Sequence, residues 1–251
     1  MHDRQTLLFS TRTHKGKVKR NNQDCLSFDQ EQAYAVIADG VGGNAFGEVA
    51  SQLCVDSCMA YIASLDQDSL GEKVSKELAN AIKLANEEVI TIQRNEPKYE
   101  KMSSTLACFY VNGTQLHYSW VGDSRVYLIR PEEQTISMLT TDHTLDPSKI
   151  DPELAPALYK QASSILTRVV GSILLLKPDR GSTQIKSGDI VLACTDGLSN
   201  LVPDDLILEY ALKFDQPQGE GLDPFADKLL DRALDCGGLD NISLVLAKVL
   251  G

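Results

Sequence analysis

Four aspartates punctuate the most apolar stretches of the chain, and this pattern limits the fold more than any other feature. Asp39 follows YAVIA, Asp123 follows SWVG, Asp196 follows IVLACT, and Asp240 precedes ISLVLAKV. Short apolar runs that stop at Asp-Gly, Asp-Ser or Asp-Asn read as buried strands ending in turns. A carboxylate beside a buried strand is costly to desolvate, so it is either hydrogen-bonded in a turn or paired with a cation. One such aspartate is an ordinary turn residue. Four at strand ends point to a shared site.

The remaining periodicity fills in an α+β architecture. Strands are expected over Leu7 to Thr13, Cys25 to Asp29 and Ala33 to Ala38. Helices follow over residues 47 to 65 and 70 to 94, where Val74, Leu78, Ile82, Ala85 and Val89 recur at helical spacing. Thr105 to Val111, an Asn112-Gly113 turn, Leu116 to Val121, Arg125 to Ile129 and Thr135 to Leu139 stand at hairpin spacing and predict one antiparallel meander. Residues 152 to 170 read as helical, Ile190 to Thr195 as a strand, 203 to 213 and 224 to 236 as helices, and Ile242 to Val249 as the closing strand. Helices clustered between antiparallel runs favour α+β over a regular βαβ alternation. No linker or internal repeat divides the chain, so residues 1–251 are expected to form a single domain.

Composition narrows the function classes. With 43% hydrophobic and 24% charged residues the chain is globular. Its net charge of −11 repels a phosphate backbone, which argues against nucleic acid as a partner. No apolar run approaches the roughly 20 residues that cross a bilayer, and the N-terminal MHDRQTLLFS lacks the apolar core of a signal peptide. A soluble, cytoplasmic protein with no membrane insertion is expected. The six cysteines lie in apolar stretches without a CxxC pair, so they are expected as buried thiols.

Clustered carboxylates without an HExxH or CxxC pattern suit a hard cation, Mg²⁺ or Mn²⁺. Two such ions sharing one carboxylate make a centre for hydrolysing a phosphate ester. In DGVGG, Gly40, Gly42 and Gly43 let the backbone approach a metal closely. Gly40, Gly42 and Ala45 also match the GxGxxA form of a dinucleotide fingerprint. That reading would set Asp39 at a pyrophosphate and needs a parallel βαβ repeat that the hairpin spacing replaces. No GxxxxGK[ST] or GxSxG motif is present.

In order and spacing, NNQD (21–24), DGVGG (39–43) followed by GEVAS, SSTL (103–106), VGDSRVY (121–127), TTDHT (140–144), LTRVVG (166–171), TDGL (195–198) and DNIS (240–243) resemble the metal-dependent protein phosphatases of the PPM family, the protein phosphatase 2C type, in their compact bacterial form. The resemblance implies a β-sandwich of two antiparallel sheets flanked by pairs of helices, with two Mn²⁺ or Mg²⁺ ions between the sheets. It also implies phosphoserine and phosphothreonine hydrolysis through a metal-bridging hydroxide, with phosphorylated proteins as substrates and a cognate Ser/Thr kinase in opposition. Carried over by position, Asp39 would bridge both metals, Asp196 and Asp240 would complete the first, and the Gly40 carbonyl would bind the second. Asp24 would orient the attacking water. Asp123, with Asp196, would hold a weaker third ion.

Two positions depart from the commonest family pattern. Gln23 stands where many members carry Glu and would reach the second metal through water. Lys19 stands where an arginine grips the substrate phosphate, with neighbouring Arg20 as a substitute if the register shifts by one. These departures motivate an alternative reading as a catalytically weakened phosphatase-like binding or regulatory module. Val41 leaves DGVGG without a histidine, and His143 in TDHT is expected to be a hydrogen-bonded structural residue. The resemblance further implies a flap beside the cleft at residues 145–165. Its prolines, Pro147, Pro152 and Pro156, predict a loose leading loop and a short helix.

Overall fold

A computed structural model of the chain describes residues 6–41, 46–66, 73–214 and 221–250. Among them, the strands in chain order are β1 (Leu7–His14), β2 (Asp24–Asp29), β3 (Tyr34–Asp39), β4 (Leu106–Asn112), β5 (Gln115–Val121), β6 (Arg125–Arg130), β7 (Thr135–Met138), β8 (Asp179–Gln184), β9 (Ile190–Cys194) and β10 (Ile242–Val249). The helices are α1 (Gly47–Ala63), α2 (Val74–Asn95), α3 (Pro156–Gln161), α4 (Asp196–Ser199), α5 (Asp204–Phe214) and α6 (Leu222–Asp235). The strands make two five-stranded sheets, ordered β1-β10-β9-β6-β7 and β2-β3-β4-β5-β8.

Side-chain alternation explains why the central strands read as continuous apolar runs. In β3, Ala35 and Ile37 point between the sheets and join Phe109, Val126, Val191 and Val245. Tyr34, Val36 and Ala38 point outward, onto Cys54 and Ile62 of α1 and Leu78 and Ile82 of α2. The other sheet does the same: Leu192, Cys194, Leu244 and Leu246 turn outward onto Ile207 of α5 and Phe225 and Leu229 of α6. Both faces of each central strand are therefore covered, and the few polar residues within them, such as His117 and Ser119 of β5, are themselves buried. The α+β sandwich with a helix pair on each side is as expected.

Three expectations need correction. The segment from Thr105 to Leu139 is not one meander: β4 and β5 pair in one sheet, while β6 and β7 pair in the other. The chain crosses between sheets at Gly122, whose φ of +103° suits glycine, and Asp123 rides on that crossing. Hairpin spacing cannot distinguish a turn within a sheet from a step between sheets. Residues 152 to 170 are not one helix either. Only α3 and a 3₁₀ turn at Ala162–Ser164 are helical, and beyond them the backbone pairs Leu166 with Thr144 and Val170 with Ser104. Finally, β8 was not expected, because DRGSTQ has no apolar residue and pairs along the edge of β5.

The start of the expected helix at residue 70, and Gly42, Gly43 and Ala45, lie outside the described residues. All six cysteines are free; Cys54, Cys58, Cys108 and Cys194 are buried, and Cys25 and Cys236 are half-buried. Among the described residues no helix is long and apolar enough to cross a membrane.

Candidate metal and phosphate centre

The four strand-end aspartates meet. Asp39, Asp123, Asp196 and Asp240 line one cleft of about 380 Å³ together with Lys19, Thr105, Asn200, Ser164 and Leu166. Asp39 ends β3 of one sheet, whereas Asp196 follows β9 and Asp240 precedes β10 of the other. The cleft is thus assembled only when the two sheets pack.

Local hydrogen bonds hold Asp39 by its backbone and Asp240 and Asp196 by their side chains. Asp39 lies opposite Asp24 in the β2–β3 register. Its N–H donates to Thr105 Oγ1 (3.0 Å), and its carbonyl accepts from the Thr105 N–H and Ser104 Oγ (2.8 Å each). The Gly40 N–H donates to the Gln23 carbonyl (3.0 Å). A Cβ on Gly40 would fall 2.3 Å from the Gly47 carbonyl, so glycine is what lets the first turn of α1 rest on the end of β3. Asp240 Oδ1 accepts from the Asn241 N–H (2.8 Å) and from Lys19 Nζ (2.7 Å). Asp196 Oδ2 accepts from Asn200 Nδ2 (3.1 Å).

Crowding of buried negative charge dominates the electrostatics. Burial, followed by the charges of Asp24, Asp196 and Asp240, holds the Asp39 pKa well above the usual carboxylate range. Burial first, then neighbouring carboxylates, pushes Asp24 and Asp123 up to about 7, and burial with Asp240 raises Asp196. Asp24 Oδ1 and Asp196 Oδ1 are buried with no hydrogen-bond partner among the described residues.

No three acidic, imidazole or thiol groups among the described residues close into a ready-made metal cage. The donors are instead carboxylates spread around an open cleft, to which Asp196 brings a buried oxygen without a partner. This set fits Mg²⁺ or Mn²⁺, which takes few protein oxygens and keeps several waters.

Burial lowers the Lys19 pKa, but the hydrogen bond and charge of Asp240 outweigh it, so Lys19 is held above its ordinary value. Arg20 is exposed and does not line the cleft. Gln23, Asp24 and Gly40 are set back from the cleft lining. Gln23 Nε2 donates to Glu48 Oε2 of α1 (2.7 Å), and Asp24 Oδ2 accepts from Thr195 Oγ1 (3.0 Å). His143 is structural, as expected: it is buried, accepts from the Gly122 N–H at Nδ1 (3.1 Å) and pairs with Asp179 through Nε2 (3.2 Å). Sequence reasoning assigned no role to Glu48, Thr195 or the Ser104-Thr105 pair that holds Asp39. The SSTL and TDGL motifs contained the last three, but nothing in the sequence linked Glu48 to Gln23.

A helix-flanked sandwich whose two sheets share a carboxylate cleft is the architecture of a metal-assisted phosphatase domain. The chain belongs to the protein phosphatase 2C family, whose model matches residues 12–241. It is 34% identical over 249 residues to the serine/threonine protein phosphatase PstP of Mycobacterium tuberculosis, with 97% of this chain and 45% of PstP covered. The chain thus spans less than half of that relative. It is 30% identical to the protein phosphatase PhpP of Streptococcus pneumoniae, covering 94% of this chain and 95% of PhpP. The crystal structure of M. tuberculosis PstP superposes with a TM-score of 0.80 at 32% identity, covering 98% of this chain and 99% of that one. A structure of the PstP catalytic domain in complex with two manganese ions gives 0.79 at 31% identity, covering 99% and 100%.

Proposed function

We propose that the chain is a protein phosphatase that hydrolyses phosphoserine and phosphothreonine with the aid of two Mn²⁺ or Mg²⁺ ions. The observation that carries this reading is the convergence of Asp39, Asp123, Asp196 and Asp240, from both sheets, on a cleft that also holds Lys19. Asp39 would serve both cations, Asp196 and Asp240 the first, and the Gly40 carbonyl and water-linked Gln23 the second. Asp123 with Asp196 would take a weaker third. When bound, the cations would lower the pKa of a water and offset charge on the phosphoryl oxygens.

The protein's own groups do the rest. Asp24, held through Oδ2 by Thr195, has its unpartnered Oδ1 free to accept a hydrogen bond from the attacking water and to orient it. Lys19 carries the charge that faces the phosphate, so gripping substrate means exchanging Asp240 for the phosphoryl oxygens. Arg20, being outside the cleft, is the weaker candidate for this role. With Val41 in DGVGG and His143 committed to Asp179, the leaving oxygen takes its proton from water or from a more distant acid.

The described residues are read as one catalytic unit, since the inter-sheet core draws on both sheets. Residues 145–165 form its flap. Phosphoproteins and an opposing Ser/Thr kinase are the natural partners, and six free thiols suit the reducing cytoplasm. The test is hydrolysis of a phosphothreonine peptide and of an aryl phosphate with Mn²⁺ and with EDTA. Activity should require the metal and be abolished in Asp39→Asn, and Asp196→Asn and Asp240→Asn should lose most of it. Full turnover by Asp39→Asn in EDTA would overturn the reading.

A further inference from the structure

The chain carries a net charge of −11, yet no acidic residue occurs between Asp3 and Asp24, and residues 15–20 read KGKVKR. The structure binds this cationic loop to the rim of the acidic cleft. Gly16 has φ +77°, and a Cβ there would lie 2.2 Å from the Asp240 carbonyl oxygen, so the loop is pressed onto the turn that carries a cleft aspartate. The Lys17 N–H donates to the Gly238 carbonyl (2.8 Å). Asn241 Nδ2 donates to the carbonyls of Lys15 and Asn21 (2.9 Å each). Backbone contacts therefore fix the loop, and its side chains are not needed to hold it.

Those side chains divide by direction. Lys19 turns into the cleft, to Asp240. Lys15, Lys17 and Arg20 are exposed, and none of the three makes an ion pair among the described residues. Three unneutralised cations on a rigid rim attract anions within about one Debye length, ~8 Å at physiological salt. An extended peptide covers that distance in about two to three residues, so the field acts on the immediate neighbours of a phosphoresidue seated in the cleft.

We infer that the 15–20 loop is a subsite for anionic side chains, selecting phosphoresidues flanked by Asp, Glu or a further phosphate. The inference rests on the phosphatase reading and specifies its substrate class. The negative charge of the whole chain disfavours nucleic acid as the occupant.

The test uses the full chain with Mn²⁺ and peptides carrying one phosphothreonine flanked by Asp/Glu, by Ala or by Lys/Arg, with an aryl phosphate as control. From acidic to basic flanks kcat/KM should fall by about tenfold, as expected of a few exposed charge pairs, and about 0.5 M NaCl should compress the range. Lys15→Glu with Lys17→Glu should flatten or invert the order while leaving the aryl phosphate unchanged. Equal rates across the peptides, or an acidic preference that survives the double reversal, would overturn the inference. So would a reversal that weakens only the binding of an RNA oligonucleotide, which would make the loop a nucleic-acid surface. If the parent hydrolyses nothing with Mn²⁺, the phosphatase reading is what has failed. Fluorescence anisotropy of the same peptides then still reports whether the loop prefers acidic flanks.

Discussion

An amide can stand in for a carboxylate beside a metal only if its oxygen, not its NH₂, faces the site. Glu48 constrains this for Gln23. A carboxylate accepts but cannot donate, so the 2.7 Å contact commits Nε2 to Glu48 and turns Oε1 away from it. The same amide nitrogen and the Gly40 carbonyl oxygen both lie about 3 Å from where a Cβ on Gly47 would sit, which places Gln23 beside the proposed second-metal carbonyl. Groups that orient ligands from behind typically change metal affinity by about 10–100-fold when removed. Calorimetric titration of Glu48→Ala with Mn²⁺ should therefore show weakening of this size at one site, with the other unchanged. Gln23→Glu should bind Mn²⁺ more tightly yet melt lower without metal, because it sets two carboxylates against each other. Unchanged isotherms for both variants would remove the pair from the metal site. At the phosphate position, Lys19→Ala should raise KM for phosphopeptide more than Arg20→Ala does, since a hydrogen bond to a charged group contributes about 1.5–3 kcal/mol. The opposite order would shift the register by one.

Among the elements, the proposed flap is stapled at its base and exposed beyond it. The Leu145 N–H donates to the Ile165 carbonyl (3.0 Å), and the Thr167 N–H donates to the His143 carbonyl (2.7 Å). Arg168 grips Asp179 with two hydrogen bonds, and Asp179 in turn holds His143. Further out, Leu154 is 84% exposed, and Leu158 and Tyr159 are also exposed, so the body of the flap packs weakly on the sandwich. Ser164 and Leu166 nonetheless line the cleft. Replacing residues 146–160 with a short Gly/Ser linker should lower kcat/KM for phosphopeptides more than for an aryl phosphate, which is too small to reach them. Equal losses would mean that the segment supports the fold or the metal centre. The short helix α3 was legible from Pro156 at its start. The central strands and helix pairs were legible because burial on both faces or on one stripe leaves a period in the sequence. The crossing at Gly122 and the edge strand β8 were not, since sheet membership and edge pairing are set by backbone contacts that leave no apolar mark. The site divides in the same way: each aspartate announced itself at a strand end, while the contact between Gln23 and Glu48 depends on how α1 settles on β2.

For the molecule as a whole, the central fact is that its acidic excess is concentrated partly inside it, at the junction of the two sheets. Asp24 and Asp123 are raised from 3.8 to about 7, chiefly by burial, and Asp39 and Asp196 move in the same direction. Between these limits the folded chain holds protons that the unfolded chain has released, so without metal the contribution of these four carboxylates falls as pH rises from about 4 to about 7, opposed below about 6.5 by His117 and His143, which burial lowers. The arginine-paired carboxylates do not oppose this trend. Asp179, Asp223 and Asp227 are lowered, so their contribution is complete above their ordinary pKa and is lost only on further acidification. A bound divalent cation would take the place of the protons, and its stabilisation would therefore grow with pH. Thermal unfolding in EDTA should give a higher Tm at about pH 5 than at about pH 7.5, and Asp24→Asn should flatten that slope because one titrating group is gone. Mn²⁺ should raise Tm more at the higher pH. A Tm in EDTA that is equal at both pH values, in parent and variant alike, would mean that the carboxylates are already ionised in the folded protein and that their charge is balanced elsewhere.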